Sequence, residues 1–371
     1  MSVTSPGRRA VVTELAEDPP AAIAHALRVE PQPRPDTARL APTDVVIAVK
    51  SAAVGWVDLL MTSGQYQHAM EPPYCPGLEY SGEVLWRGEA VSHVDVGDAV
   101  IADPFLTGPR SLGDYQRWGG FASYAVAPAE AVIPLPSTLT FDQGCHLLGP
   151  YETAHHVLLD RGALQPGETV LVHGASGTTG LAAVHVAKLT GARVIATGRS
   201  TEKLAVVASQ GADHVLCTDN GSGGLRRFRD DVKALTDGRG VDVVYDGVGG
   251  AISLESLRCV RFGARFLIAG WAATPFVARG KGRGGAPNAN VLPTNLIMMK
   301  SLDVLGCPAA ITAHRAPARR EARRDQVMAW ARAGAIAPLV TEVFPLSKVA
   351  DAMKTKWESR FVGGCALHPE E

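Results

Sequence analysis

The stretch Val170-Leu171-Val172-His173-Gly174-Ala175-Ser176-Gly177-Thr178-Thr179-Gly180 limits the fold more than any other part of the chain. An apolar run of strand character enters a turn of small residues, and Leu181, Val184 and Ala187 then recur at helical spacing. Ala175, Gly177 and Gly180 fill a G-x-G-x-x-G pattern with alanine in the first place. Small residues let the backbone approach a pyrophosphate, and the helix N-terminus offers unpaired N–H groups at the positive end of its dipole. The last glycine permits close packing of helix on strand. A lone glycine motif is more often an ordinary turn. Here the strand before it, the helix after it and a further strand at 193–197 point to a dinucleotide site.

Strand and helix alternate through the middle of the chain. Strands are expected at 169–173, 193–197, 214–217, 241–246, 264–270 and 302–306, with helices at 180–190, 202–210, 225–236 and 252–261. Short links between such units build a parallel sheet, so 151–310 is expected to be a doubly wound α/β domain. Residues 1–150 have another texture: short strands at 9–13, 45–54, 80–85, 99–101, 122–126 and 131–134, with turn signals between them. That spacing favours an antiparallel β-rich domain. Residues 103–120, rich in glycine, proline and aromatics, read as a long loop over a surface or cleft. The tail, 311–371, has a charged helix at 319–333, strands at 340–344 and 361–367, and a helix at 347–356. It is expected to fold back and complete the first domain.

Composition excludes several classes. With 36 Lys+Arg against 37 Asp+Glu, the net charge of -1 provides no field for a general polyanion binder. Cys75, Cys145, Cys217, Cys259, Cys307 and Cys365 are scattered, with no C-x-x-C pair, which suits a reducing compartment. No apolar segment follows the two arginines of the first ten residues, and no apolar run is long enough to span a bilayer. A cytoplasmic protein is expected. Residues 272–295, with Arg279, Lys281 and Arg283, read either as a solvated loop or as a basic flap over an anionic substrate.

The end of the second parallel strand reads Ala196-Thr197-Gly198-Arg199-Ser200-Thr201-Glu202-Lys203. NAD sites commonly place an acid there to hold the ribose hydroxyls. Arg199 can pair with a 2′-phosphate, Ser200 can donate to it, and Lys203 adds charge one turn on. NADPH is therefore expected over NADH; the alternative is that Arg199 and Lys203 are solvated surface charges.

Three segments carry a resemblance over nearly the whole chain: Val57-Asp58-Leu59-Leu60-Met61-Thr62-Ser63-Gly64-Gln65-Tyr66, Pro76-Gly77-Leu78-Glu79-Tyr80-Ser81-Gly82-Glu83-Val84, and Pro166-Gly167-Glu168-Thr169-Val170 running into the glycine turn. With them the chain resembles the zinc-independent quinone oxidoreductase and enoyl reductase branch of the medium-chain dehydrogenase/reductase superfamily. The resemblance implies an α/β protein with a GroES-like β-rich catalytic domain made from both chain ends, a Rossmann doubly wound parallel sheet between them, and a homodimer paired through the strand at 302–306. Zinc-dependent relatives have a Gly-His-Glu segment whose histidine binds the metal. Here it is Gly77-Leu78-Glu79, the clustered cysteines of the structural zinc lobe are absent, and no metal is expected. His155 and His156 are adjacent, so on a helix they would point about 100° apart and read as ordinary core or surface histidines.

The resemblance assigns further roles by position. Tyr66 matches a tyrosine that enoyl reductases use on the acceptor carbonyl or as a proton donor, and a phenol stays protonated at neutral pH. Its alternative role is packing without chemistry. Gly55 stands where relatives have asparagine and Trp56 follows it, so with Tyr66 they mark a reshaped substrate pocket; Asp58 reads as a structural acceptor. Thr153 matches a threonine near the nicotinamide end, while Ala175, Ser176, Gly177, Thr178, Thr179 and Gly180 would cradle the pyrophosphate. Thr218 replaces a tyrosine at the adenine end, Asp246, Val248, Gly270 and Trp271 close two strands where ligands collect, and Arg360 matches an arginine of the adenosine-phosphate side.

The function implied is NADPH-dependent hydride transfer to a quinone or an α,β-unsaturated carbonyl, whether enone, alkenal or enoyl thioester. The alternative is a non-catalytic NADPH-binding protein of crystallin or RNA-binding type. The basic loop at 279–283 invites RNA, but neutral charge and the lack of aromatic–basic interleaving oppose it.

Overall fold

The computed structural model describes residues 7–66, 70–274 and 290–369. They form two compact units, residues 7–149 with 331–369 and residues 150–274 with 290–330.

In the first unit β1 (Gly7–Val12) pairs antiparallel with β2 (Leu27–Gln32), Val12 opposite Leu27. There follow β3 (Asp44–Ala53), β4 (Tyr80–Arg87), β5 (Ala99–Ala102), β6 (Tyr124–Pro128) and β7 (Val132–Pro134). Branched residues set β3: Val45, Ile47 and Val49 share one face by the two-residue period and are fully buried with Tyr80, Val84, Val100 and Phe121. Both faces of β3 are covered, which is why it reads as an apolar run rather than a clean alternation.

The second unit contains β8 (Thr169–Val172), β9 (Arg193–Gly198), β10 (His214–Cys217), β11 (Val241–Asp246), β12 (Val260–Ile268) and β13 (Asp303–Gly306). All five neighbouring pairs are parallel, in the order β10-β9-β8-β11-β12-β13. The strand order reverses between β8 and β11, and in open α/β sheets ligands collect beyond the strand ends at that point. Helix Thr178–Leu189 buries Leu181, Val184 and Val186. Leu171, Ile195, Val244 and Phe266 form the core with Phe228 and Val232.

The chain then returns to the first unit. There β14 (Val340–Pro345) lies parallel to β15 (Gly364–His368), which pairs antiparallel with β3. The larger sheet of this unit has the order β14-β15-β3-β4-β5-β7, with β6 also on β3.

Three of the differences from the sequence reading bear on the architecture. β2 was not anticipated. The helix expected at 252–261 is Ala251–Ser256, and the next strand already starts at Val260. Last, the return to the first unit comes at 331 rather than 311, because helix Pro317–Arg332 is held to the second unit by buried ion pairs. Arg320 grips Glu152 through Nε at 2.9 Å and Nη2 at 2.7 Å, and Arg323 Nη1 lies 3.3 Å from Asp160. The basic residues Arg279, Lys281 and Arg283 lie outside the described residues. Among the described residues no helix is long and apolar enough to cross a membrane.

Candidate functional site

The turn after β8 is built on two glycines. Gly174 takes φ +63°, a conformation open to glycine at little cost. Gly180, in the first turn of helix Thr178–Leu189, lies so close to it that a Cβ there would stand 2.3 Å from the Gly174 carbonyl oxygen. The turn is tied from both sides: Ala175 N donates to Thr197 O at 3.1 Å, and Gly177 N to Gly174 O at 3.1 Å. Ala175 is buried, whereas Ser176, Gly177, Thr178 and Thr179 are half-buried and partly open. The first N–H groups of a helix have no partner within it, so this opening is a cradle for an anionic group.

Beneath the turn sits a polar anchor that sequence reasoning missed. His173 is buried, with Nδ1 2.8 Å from Thr197 Oγ1, Nε2 2.6 Å from Ser256 Oγ, and Phe228 edge-on. Burial holds its pKa below the ordinary imidazole value, against the pull of Asp246. The visible signal was a polar residue closing an apolar strand.

Thr153 apart, the remaining cofactor candidates of this unit lie at or just beyond the ends of β9, β10, β11 and β12. Arg199 is exposed just past β9. Ser200 caps helix Thr201–Ser209, accepting from Lys203 N at 3.3 Å. Partial burial, and then the like charge of Arg199, keep the Lys203 ammonium below its ordinary pKa. Thr218 is buried and spends its N–H (2.8 Å) and hydroxyl (3.1 Å) on Gly198 O, which ties β10 to β9. Asp246 points inward. One oxygen accepts from Val248 N and Gly249 N, each at 2.9 Å, and the other from Ser253 Oγ. It therefore acts by shaping its own turn, which brings Val248 Cγ2 within 3.1 Å of where a side chain on Gly174 would begin. Gly270 N donates to Asp246 O, and Trp271 beyond it is 41% exposed. Thr153 is half-buried on helix Leu148–His155.

His155 and His156 face one carboxylate: both Nδ1 atoms lie 3.2 Å from Asp160, within the π-helical stretch His156–Arg161. Among the described residues no group of three or more His, Cys, Asp or Glu is arranged to hold a metal ion.

The other predicted residues belong to the first unit. Gly55 N-caps helix Trp56–Thr62, and its N–H donates to Asp58 Oδ2 at 2.9 Å. Asp58 Oδ1 accepts from Gly77 N at 3.2 Å and Leu78 N at 3.1 Å, so the aspartate staples the helix to the Gly77-Leu78-Glu79 segment. Burial pushes its pKa up to about 6 against those N–H groups and Arg110. Trp56 stacks on Trp357 with centroids 5.3 Å apart and planes 6° apart, a pairing 301 positions long that no local pattern signals. Tyr66 is half-buried after a turn at Gly64 (φ +72°), and Gln65 beside it is anchored to Glu17 O at 3.0 Å. Arg360 is ion-paired with Glu358 at 2.7 Å and largely exposed.

The two units correspond to recognised domains. The family profile described as "Alcohol dehydrogenase GroES-like domain" matches residues 41–137, and "Zinc-binding dehydrogenase" matches residues 178–316. Fold and glycine cradle together define a medium-chain dehydrogenase/reductase, with a GroES-like domain and a Rossmann-like parallel sheet. Quinone oxidoreductase-like protein 2 of Mus musculus is 32% identical over 339 residues, covering 91% of this chain and 87% of the relative. The homologue in Nematostella vectensis is 30% identical over 90% of this chain and 84% of its own length. Among solved structures, a probable oxidoreductase from Mycobacterium abscessus has a TM-score of 0.77 at 27% identity, covering 98% of this chain and all of its own. The chain belongs to the quinone oxidoreductase and enoyl reductase branch of this superfamily, whose members are nicotinamide-dependent oxidoreductases of small molecules.

Proposed function

We propose that this chain is an NADPH-dependent reductase that delivers hydride to a quinone or an α,β-unsaturated carbonyl without zinc. One observation carries the cofactor choice: Arg199 stands beside Lys203 past β9, and after partial burial its like charge lowers the Lys203 ammonium's pKa. A 2′-phosphate between them would relieve that repulsion, whereas a ribose hydroxyl would not. The Gly174–Gly180 contact and the partial exposure of Ser176, Thr178 and Thr179 support this turn as the place where a pyrophosphate would be held. When bound, the nicotinamide supplies the hydride. The Tyr66 hydroxyl would donate a hydrogen bond to the acceptor's carbonyl oxygen and stabilise the negative charge that grows there. Zinc independence rests on residue chemistry: Leu78 carries no donor atom, and Glu79 is occupied by Gly149 N.

The test is NADPH oxidation with quinones, enones and enoyl thioesters, followed in single turnover. Arg199→Ala should weaken NADPH about 10- to 100-fold, the loss of a charged hydrogen bond, and leave NADH nearly untouched. Tyr66→Phe should slow enoyl reduction far more than quinone reduction. A parent enzyme that binds NADH as tightly as NADPH, or that reduces none of these acceptors, overturns the reading.

A homodimer is part of the proposal. β13 is the outer strand of its sheet, and Phe262 and Met298, each 73% exposed, stand on the same unit with Met299. An open strand edge with nearby apolar side chains favours pairing with a second copy. Sedimentation velocity should show twice the mass of one chain at micromolar concentration; a single-chain mass would rule the dimer out. The six unpaired thiols support a reducing, cytoplasmic setting.

A further inference from the structure

One strong base in the first unit makes no hydrogen bond to any of the described residues. Arg110, in the loop at 103–120, is 8% exposed, and its Nε and Nη2 are enclosed with no hydrogen-bond partner. Among the described residues no carboxylate stands within ion-pair distance of it. Its guanidinium carbon lies 4.3 Å from the centre of the Phe105 ring. Asp58 feels its charge, but the oxygens of Asp58 already accept from Gly55, Gly77 and Leu78. A guanidinium taken out of water without an anion is strongly unfavourable, and its planar fork is shaped for two parallel N–H···O bonds.

The surroundings narrow what completes it. The loop is held in place, with Ser111 Oγ donating to Gly108 O at 2.8 Å. A Cβ on Gly108 would stand 3.6 Å from Gly77 O, so the loop rests on the segment that Asp58 staples. Tyr74, also influenced by Asp58, has an enclosed hydroxyl with no hydrogen-bond partner among the described residues. The negative charge of Asp58 disfavours a dianion such as a phosphate monoester in this neighbourhood. The planar fork and enclosed setting favour a flat, singly charged group.

We infer that Arg110 binds a carboxylate carried by the acceptor substrate, so that the preferred acceptors are unsaturated carbonyl compounds bearing a free acid. The substrate part of this inference rests on the reductase reading above; the anion site itself does not.

The experiment has two arms. In calorimetry, 4-oxopentanoate, which has no carbon–carbon double bond, is titrated without cofactor into the whole protein and into Arg110→Lys and Arg110→Met. In turnover, (E)-4-oxopent-2-enoate is compared with its methyl ester using NADPH. The parent is expected to bind 4-oxopentanoate and to favour acid over ester about 10- to 100-fold in kcat/KM. That ratio should shrink in Arg110→Lys, which keeps the charge without the fork, and approach one in Arg110→Met. Equal use of acid and ester by the parent overturns the inference whether or not the variants fold. So does ester reduction without 4-oxopentanoate binding, which leaves the reductase reading intact. Arginine-dependent binding of 4-oxopentanoate with no turnover of either compound supports the anion site but overturns its assignment to the acceptor, and leaves the reductase reading to the quinone and enoyl thioester assays.

Discussion

Gly180→Ala is expected to destabilise the chain by about 2–3 kcal/mol and to abolish pyridine-nucleotide binding. In an ordinary helix the same change is favourable by about 1 kcal/mol, because alanine is the better helix former. Here the added methyl would stand 2.3 Å from Gly174 O and 2.7 Å from Ala175 Cα. Both are backbone atoms and neither can swing aside. Gly174 already uses a left-handed φ, and Ala175 is tied to Thr197 O at 3.1 Å, so relief must come from prying the helix off β8. That movement opens the cradle. Urea denaturation and calorimetry with NADPH check the two effects separately. A variant that is more stable than the parent and still binds nucleotide would show that the close approach of Gly174 and Gly180 is not required.

Glu152→Ala is expected to cost about 3–5 kcal/mol, the penalty for breaking a buried ion network from one side. The carboxylate faces the Arg320 fork at 2.7 and 2.9 Å, with Arg323 Nε 3.5 Å away. Removing it takes the carboxylate from the Arg320 fork and leaves Arg323 facing Asp160, which also lies against the imidazoles of His155 and His156. Replacing Glu152, Arg320 and Arg323 together by apolar residues of similar volume should cost far less, since paired desolvation offsets most of the attraction. Urea denaturation of the single and triple variants makes the comparison. Equal losses in both would mean that packing volume, not charge, holds helix Pro317–Arg332 in place.

Legibility differed between the two units for a physical reason. Strands of a parallel sheet covered on both faces need apolar residues at nearly every position, so Val170–Val172 and Val243–Val244 announce themselves. Their ends carry glycines that local turn chemistry demands. β2, Leu-Arg-Val-Glu-Pro-Gln, belongs to a two-stranded sheet with much of its length open to water. Proline and charge are tolerated there, so its pattern resembles a loop. The segment at 311–330 was readable as a charged helix, yet its domain was not, because the deciding bonds join residues 168 positions apart.

Local order in the sequence thus determined the strand–turn–helix cradle, the alternation that builds the parallel sheet and the basic pair past β9. Each depends on residues within a few positions of one another, where backbone geometry and periodicity act directly. The tertiary structure alone decided that Asp246 turns inward, that Trp56 meets Trp357, that two adjacent histidines share Asp160 and that Arg110 is enclosed without an anion. Whether a polar group is satisfied depends on what the rest of the fold brings within about 3 Å of it, and no local pattern encodes that distance.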